Sequence, residues 1–197
     1  MSSPFVTAST DGSTRVITLA HPPRNLLNPE VMIALLGELD AANADPAVAG
    51  IILTGEGEAF CGGLDVSKLQ AGGDPAEFAS RLVAILDRIP KLNKPVVAAL
   101  NGDAVASGAS IACACDYAVS VASAKVGTYE VSIGIWPMVA QVPLIKRLGA
   151  RVAMENVGSG TPWDAEGALR VGAIQRIVPA EELLPAAQAC LDQAARA

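Results

Sequence analysis

The 197-residue chain is predicted to be an α/β protein with parallel strand pairing. Two observations predict it. Residues 48–54 and 95–100 are continuous apolar runs, the pattern of strands buried on both faces. Around them lie stretches whose apolar residues recur at helical spacing, so strand and helix alternate along the chain. No repeat, low-complexity segment or domain boundary interrupts the alternation, and residues 1–197 read as one domain.

The elements follow in order. Residues 5–10 and 14–20, joined by Asp11-Gly12, read as a hairpin that His21-Pro22-Pro23 ends. Asn28 suits a helix N-cap and Pro29 the first turn; Val31, Leu35, Leu36 and Leu39 give that helix its apolar face. Asp45-Pro46 is a turn before strand 48–54. Residues 55–63 read as a glycine-rich loop and 65–69 as a short helix. A Gly72-Gly73 loop leads to a helix over 76–89, with Phe78, Leu82, Ile85, Leu86 and Ile89 inward. After strand 95–100 and the tight turn Asn101-Gly102, residues 104–110 read as a small-residue loop feeding a helix N-terminus. Cys113 and Cys115 alternate along an apolar, strand-like run, and a second strand carries the chain to Glu130. Then come an apolar segment around Pro143, helices at 150–156 and 164–169, a strand at 173–178 and an amphipathic helix over 181–196.

Composition narrows the function. Hydrophobic residues are 51% and charged residues 17%, too apolar for a disordered chain. Aromatics are 4%, so the core is built of small residues. The mean hydropathy of +0.40 leaves room for a buried subunit interface. A net charge of −6 without a basic stripe argues against a nucleic-acid partner. No apolar run reaches the roughly 18 residues of a membrane span, and the N-terminus lacks a signal-peptide pattern. The expected location is cytoplasmic. The 4 cysteines (Cys61, Cys113, Cys115, Cys190) form no CxxC pair, and the single histidine is His21. Buried free thiols are expected, not a metal site.

Two loops share one chemical logic. Residues 59–65 follow the first buried strand, and residues 104–110 follow the second. Each is rich in glycine or small residues, which lets a ligand approach the backbone, and each leads into a helix with free N–H groups. Facing one another, they would aim two donors at one oxygen that gains negative charge. Glu130, a carboxylate in an apolar setting, is a ready general acid or base. Chemistry on a carbonyl compound through an oxyanion is the expectation.

These segments together resemble the crotonase superfamily, also called the enoyl-CoA hydratase/isomerase family. The resemblance runs through Asn25-Leu-Leu-Asn28, Ile51-Ile-Leu-Thr-Gly55, Ala59-Phe-Cys-Gly-Gly-Leu-Asp65, Lys94-Pro95 to Gly102, Cys115-Asp116 and Glu130 to Gly134. It implies a crotonase-like spiral of ββα units, acyl-CoA thioester substrates, and a homotrimer or dimer of trimers. It implies no separate cofactor, because coenzyme A is part of the substrate. Carried over by motif, the oxyanion donors are the backbone N–H groups of Leu64 and Ser107. Ala106 and Ser107 stand where the family usually has glycines, a change a backbone donor tolerates where φ is negative.

Hydratases of the family resemble one another in having two glutamates. Here the first position is Ser110 and the second is Glu130. A serine hydrogen-bonds water but is a poor base. A double-bond shift needs one base, so the resemblance points to a one-glutamate isomerase. The alternatives are a hydratase using Glu130 with water held by Ser110, another enolate-forming enzyme, and a silent acyl-CoA binder. Arg24 and Lys68 fall in segments that run near the CoA phosphates in relatives, and Gly63, Asp65 and Gly108 flank the expected site. Asp65 also suits a helix cap, and Ser110 a small helix-facing residue. Trp136 fits the core or the acyl pocket. A serine hydrolase built on Ser107 or Ser110 with His21 lacks a nucleophile-elbow pattern. Relatives continue into further C-terminal helices, so a shortened C-terminal extension is expected.

Overall fold

The computed structural model describes residues 4–194. The chain begins with β1 (Val6–Asp11), β2 (Thr14–Leu19), α1 (Pro29–Ala44), β3 (Gly50–Gly55), β4 (Ala59–Cys61), α2 (Val66–Gln70) and α3 (Pro75–Arg88). It continues through β5 (Val96–Leu100), β6 (Asp103–Val105), α4 (Ser107–Ala114), β7 (Tyr117–Val121) and β8 (Lys125–Gly127). The last part holds α5 (Gln141–Leu148), α6 (Ala150–Ser159), β9 (Trp163–Asp164), α7 (Ala165–Val171), β10 (Arg176–Val178) and α8 (Leu183–Ala194).

The larger sheet has 6 strands in the order β1-β2-β3-β5-β7-β10. β1 and β2 form the expected antiparallel hairpin, and every later pairing in this sheet is parallel. The continuous apolar runs are explained by packing on both faces. Ile51, Leu53, Val96, Ala98 and Leu100 join α1 and α3 in one cluster, while Ile52, Val97 and Ala99 meet α8 in another. In α1, Asn28 accepts the Val31 N–H at 3.0 Å, and Leu35 and Leu39 are fully buried. Each such leucine contributes roughly 1.5–3 kcal/mol through burial.

The smaller sheet positions the site. Its order is β4-β6-β8-β9, with β4, β6 and β8 parallel. Its strands are 2 or 3 residues long, too short to carry a hydrophobic period. Several expectations are corrected here. Residues 55–63 hold β4, and residues 104–110 are not a loop but β6 followed directly by α4. Cys113 lies inside α4 and Cys115 caps it, so their alternation is not that of a strand. Glu130 opens a 3-10 turn (Glu130–Ile133) beyond β8. The strand expected over 173–178 shortens to β10, and the final helix starts at Leu183; its expected residues 195 and 196 lie outside the described ones. Among the described residues no helix is long and apolar enough to cross a membrane.

Candidate active site

The first wall of the site is the turn from β4 into α2. Gly63 takes φ +98, and a methyl built on it would lie 2.6 Å from the Ala106 Cβ and 3.5 Å from the Ser107 nitrogen. A glycine here therefore lets the two loops touch. Leu27 bridges this turn in parallel fashion: its N–H donates to the Gly63 carbonyl (2.8 Å) and its carbonyl accepts from Asp65 (2.9 Å). Both bonds bypass Leu64, so its own N–H points away from Leu27, with no backbone acceptor among the described residues. Asp65 caps α2, accepting from the Ser67 and Lys68 N–H groups at 3.1 and 3.3 Å and from the Ser67 hydroxyl. Burial pushes the Asp65 carboxyl up, but the Ser67 hydroxyl, the two N–H groups and the charge of His21 together hold it below its ordinary value.

Asn25 holds this wall from behind. It is fully buried at φ +51, a left-handed conformation that asparagine tolerates. Its side-chain NH₂ donates to the carbonyls of Glu56, Ala59 and Phe60 at 3.0, 2.7 and 3.3 Å.

The second wall is the start of α4. Ala106, the N-cap, sits at φ +54 and ψ −125. The condition of a negative φ is therefore not met at Ala106, where the side chain costs on the order of 1–3 kcal/mol of strain. Ser107 keeps a negative φ as the first helical residue. Its N–H has no intrahelical acceptor, and none elsewhere on the backbone among the described residues. Gly108 has a packing reason: a Cβ there would lie 2.1 Å from the Cys61 carbonyl oxygen, so glycine lets α4 sit directly on β4.

Two free backbone donors thus stand on touching loops, the arrangement that can receive an oxygen as it becomes anionic. β8 adds the carboxylate. The Ala106 N–H donates to the Gly127 carbonyl at 2.9 Å, which ties β8 to the start of α4. Glu130 follows three residues later, within about 10 Å of chain reach. It is half-buried, and one carboxylate oxygen accepts the Tyr129 N–H at 2.9 Å. Burial raises its carboxyl above the ordinary value, and hydrogen bonds from its own and the Tyr129 backbone only partly offset that. The turn is held by Asn156 of α6, buried at 1% exposure. Asn156 accepts from the Thr128 N–H and hydroxyl (2.8 and 3.1 Å) and donates to the Thr161 carbonyl (2.7 Å). Neither Asn25 nor Asn156 is singled out as functional by sequence, because a buried asparagine serving distant backbone leaves no local pattern.

The remaining expected residues divide. Ser110 is fully buried, and its hydroxyl lies 2.7 Å from the Ala140 carbonyl oxygen and 3.3 Å from that of Ala106. Arg24 is exposed and lies over Gly62, where its Nε would be 3.2 Å from an added Cβ; Lys68 is exposed on α2. Both cations flank the first wall. Trp136 is 48% exposed, so the core reading of that residue is overturned. His21 is not brought to either serine hydroxyl: its Nδ1–H donates to the Leu26 carbonyl (2.8 Å) and its ring packs on Phe5. Burial pushes the Cys61 thiol up to about 12, which removes it as a nucleophile near neutral pH. Among the described residues no three or more His, Cys, Asp or Glu side chains converge as metal ligands. A groove of about 550 Å³ opens between α3, α4 and α5, lined by Leu86, Cys113, Met138, Val139 and Val142 among others; it lies at the far end of α4 from Ser107.

Comparison with known proteins agrees with this fold. Residues 9–197 match the family model described as enoyl-CoA hydratase/isomerase. A Thermus thermophilus protein provisionally named an enoyl-CoA hydratase is 35% identical over 191 residues, covering 94% of this chain and 76% of that protein. A crotonyl-CoA hydratase of Syntrophomonas wolfei is 33% identical over 165 residues, covering 82% of this chain and 64% of that protein, so the chain spans less than two thirds of that relative. The solved structure of Pseudomonas aeruginosa DspI superposes with a TM-score of 0.90 at 28% identity, covering 99% of this chain and 82% of that one.

Proposed function

This chain belongs to the enoyl-CoA hydratase/isomerase family, and from that premise we propose that it moves a double bond in an enoyl-CoA thioester by one-base proton transfer. The Leu64 and Ser107 N–H groups receive the thioester oxygen. The Glu130 carboxylate removes a proton from the carbon beside the carbonyl, and the released electron pair moves onto that oxygen as an enolate. When the enolate collapses, Glu130 returns the proton two carbons away, and the double bond lies next to the thioester. No electron or co-reactant is gained or lost, and coenzyme A enters only as part of the substrate. Two such donors matter because losing one costs roughly 2.7–4 kcal/mol of barrier. Arg24 and Lys68 supply cations for the CoA phosphates. Gly63, Asp65 and Gly108 shape the loops, and exposed Trp136 borders the acyl side. Homotrimers or dimers of trimers are part of the reading, with Ile133, Ile135 and Met138 (53%, 46% and 74% exposed) as apolar surface for a second copy.

One observation carries the preference for a single base. Where a second acid would stand, Ser110 presents a buried hydroxyl already engaged by the Ala140 carbonyl. Asp65, the other carboxylate at the loops, is committed to its helix cap.

The names of the relatives favour a second reading, hydration of the double bond, with Glu130 and a water held by Ser110. Turnover of 3-hexenoyl-CoA, measured beside hydration of crotonyl-CoA, separates the two. Isomerisation is expected to dominate, and Glu130→Gln to lower it by about 10²–10⁴-fold. Dominant hydration would establish the second reading. Undiminished isomerisation in Glu130→Gln would remove Glu130 as the base. A protein that binds acyl-CoA but exchanges no α-proton in D₂O is a binder rather than an enzyme.

A further inference from the structure

We propose that Ser110 is a positioning residue that fixes the orientation of the Ala106–Ser107 peptide and thereby aims the Ser107 N–H. The proposal rests on the reading of that N–H as an oxyanion donor.

The Ala106 carbonyl and the Ser107 N–H belong to one planar trans peptide, so they point in opposite directions and turn together. Whatever holds the carbonyl sets the direction of the N–H. Here the carbonyl accepts the Ser110 backbone N–H (3.3 Å) and takes the longer, weaker branch (3.3 Å) of the one proton that the Ser110 hydroxyl carries. The same hydroxyl donates to the Ala140 carbonyl at 2.7 Å, which clips the segment after Pro137 onto the first turn of α4. Ser110 is fully buried and Ala140 is 4% exposed, so water does not compete for these bonds.

This peptide needs holding. Ala106 stands at φ +54 and ψ −125, a conformation that an alanine leaves readily unless its surroundings fix it. Rotation about its ψ swings the Ser107 N–H away from the Gly63–Leu64 turn. On the other side of Ala106, its N–H is fixed by the Gly127 carbonyl at 2.9 Å. The strained residue is therefore clamped at both ends, by β8 on its N–H and by Ser110 on its carbonyl. The Ala140 bond links the clamp to the segment that leaves the Glu130 turn, where the Ile135 N–H donates to the Glu130 carbonyl at 3.0 Å. Ser110 thus ties the donor helix to the chain that carries the base, without touching the substrate.

The test uses the full chain with bound butyryl-CoA as a saturated probe. The carbonyl stretch of its thioester, read by infrared difference spectroscopy with a ¹³C label, reports polarisation by the two donors. In the native protein the band is expected to shift to lower frequency on binding. Ser110→Ala should lose part of that shift and lower kcat by about tenfold, less than the roughly 10²–10³ of deleting a donor. Its Kd for butyryl-CoA should stay within about twofold, because the effect grows with charge on the oxygen. Ser110→Cys, which keeps a weak donor, should recover part of both and serves equally if the alanine variant does not fold. An unchanged band and kcat beside a lowered melting temperature would make Ser110 merely structural and overturn the proposal. Absence of any band shift in the native protein would instead overturn the oxyanion reading, and this proposal with it.

Discussion

Asp65 and Glu130 carry the same chemical group at two edges of the proposed site, and the fold treats them in opposite ways. Asp65 receives two N–H groups and a hydroxyl, all on its Oδ1, so its charge is stabilised. Glu130 receives a neighbouring N–H while half-buried, so its charge is penalised and its proton affinity is raised. Burial raises both carboxyls; at Asp65 three donors outweigh it, and at Glu130 they do not. The clamped anion caps a helix; the under-served one is the group proposed as the base.

Replacement of each carboxylate in turn sharpens the contrast. The largest effect is expected from Glu130→Gln, which removes the base and lowers isomerisation by about 10²–10⁴-fold. In the native protein kcat/KM should fall as pH drops through the Glu130 value, with an acid limb above the ordinary 4.5 of a glutamate.

Stability should move with opposite signs. The Glu130 carboxyl is raised in the folded state, so its contribution is fully present below the unfolded value and lost as pH rises through the folded one. Glu130→Gln should therefore melt higher than native near pH 7, and that gain should vanish at acid pH. The Asp65 carboxyl is lowered, so its contribution is present above the unfolded value, near 3.8, and lost as pH falls through the folded one. Asp65→Ala should cost about 1 kcal/mol at neutral pH by uncapping α2, and less as the acid range is entered. Melting curves across pH check both; two curves moving the same way would break the comparison. The smallest effect is expected from Lys68→Ala, exposed on α2. It should leave stability within about 0.5 kcal/mol and raise the KM for acyl-CoA several-fold while sparing kcat.

The same contrast explains what could be read from the sequence. The Asp65 cap, the Asn28-Pro29 helix start and the strands β3 and β5 were legible because their causes are local: a side-chain acceptor, a proline, a run of apolar residues. The surroundings of Glu130 were not. β4, β6 and β8 exist because residues more than twenty apart pair in a second sheet, and strands of 3 residues show no period. Cys113 and Cys115 imitated a strand because small residues fit either element. The positive φ of Ala106 is unusual for a non-glycine residue, and its backbone bonds go to Gly127 and Ser110, not to its immediate neighbours in sequence. Asn25 and Asn156 act on backbone up to 35 residues away, so only the folded chain reveals what they hold.

The strand orders β1-β2-β3-β5-β7-β10 and β4-β6-β8-β9 both run in the order of synthesis. A chain leaving the ribosome can therefore lay each new strand against the one before it, with no gap held open for a later arrival. The proposed donors Leu64 and Ser107 both lie in the chain before the end of α4 at Ala114. The proposed base, Glu130, comes last of the three, and Asn156, which bonds Thr128 ahead of its turn, follows later. A nascent chain stalled before α6 would carry both proposed oxygen-holding turns and no anchored carboxylate: on that reading, a binding surface that precedes its own chemistry.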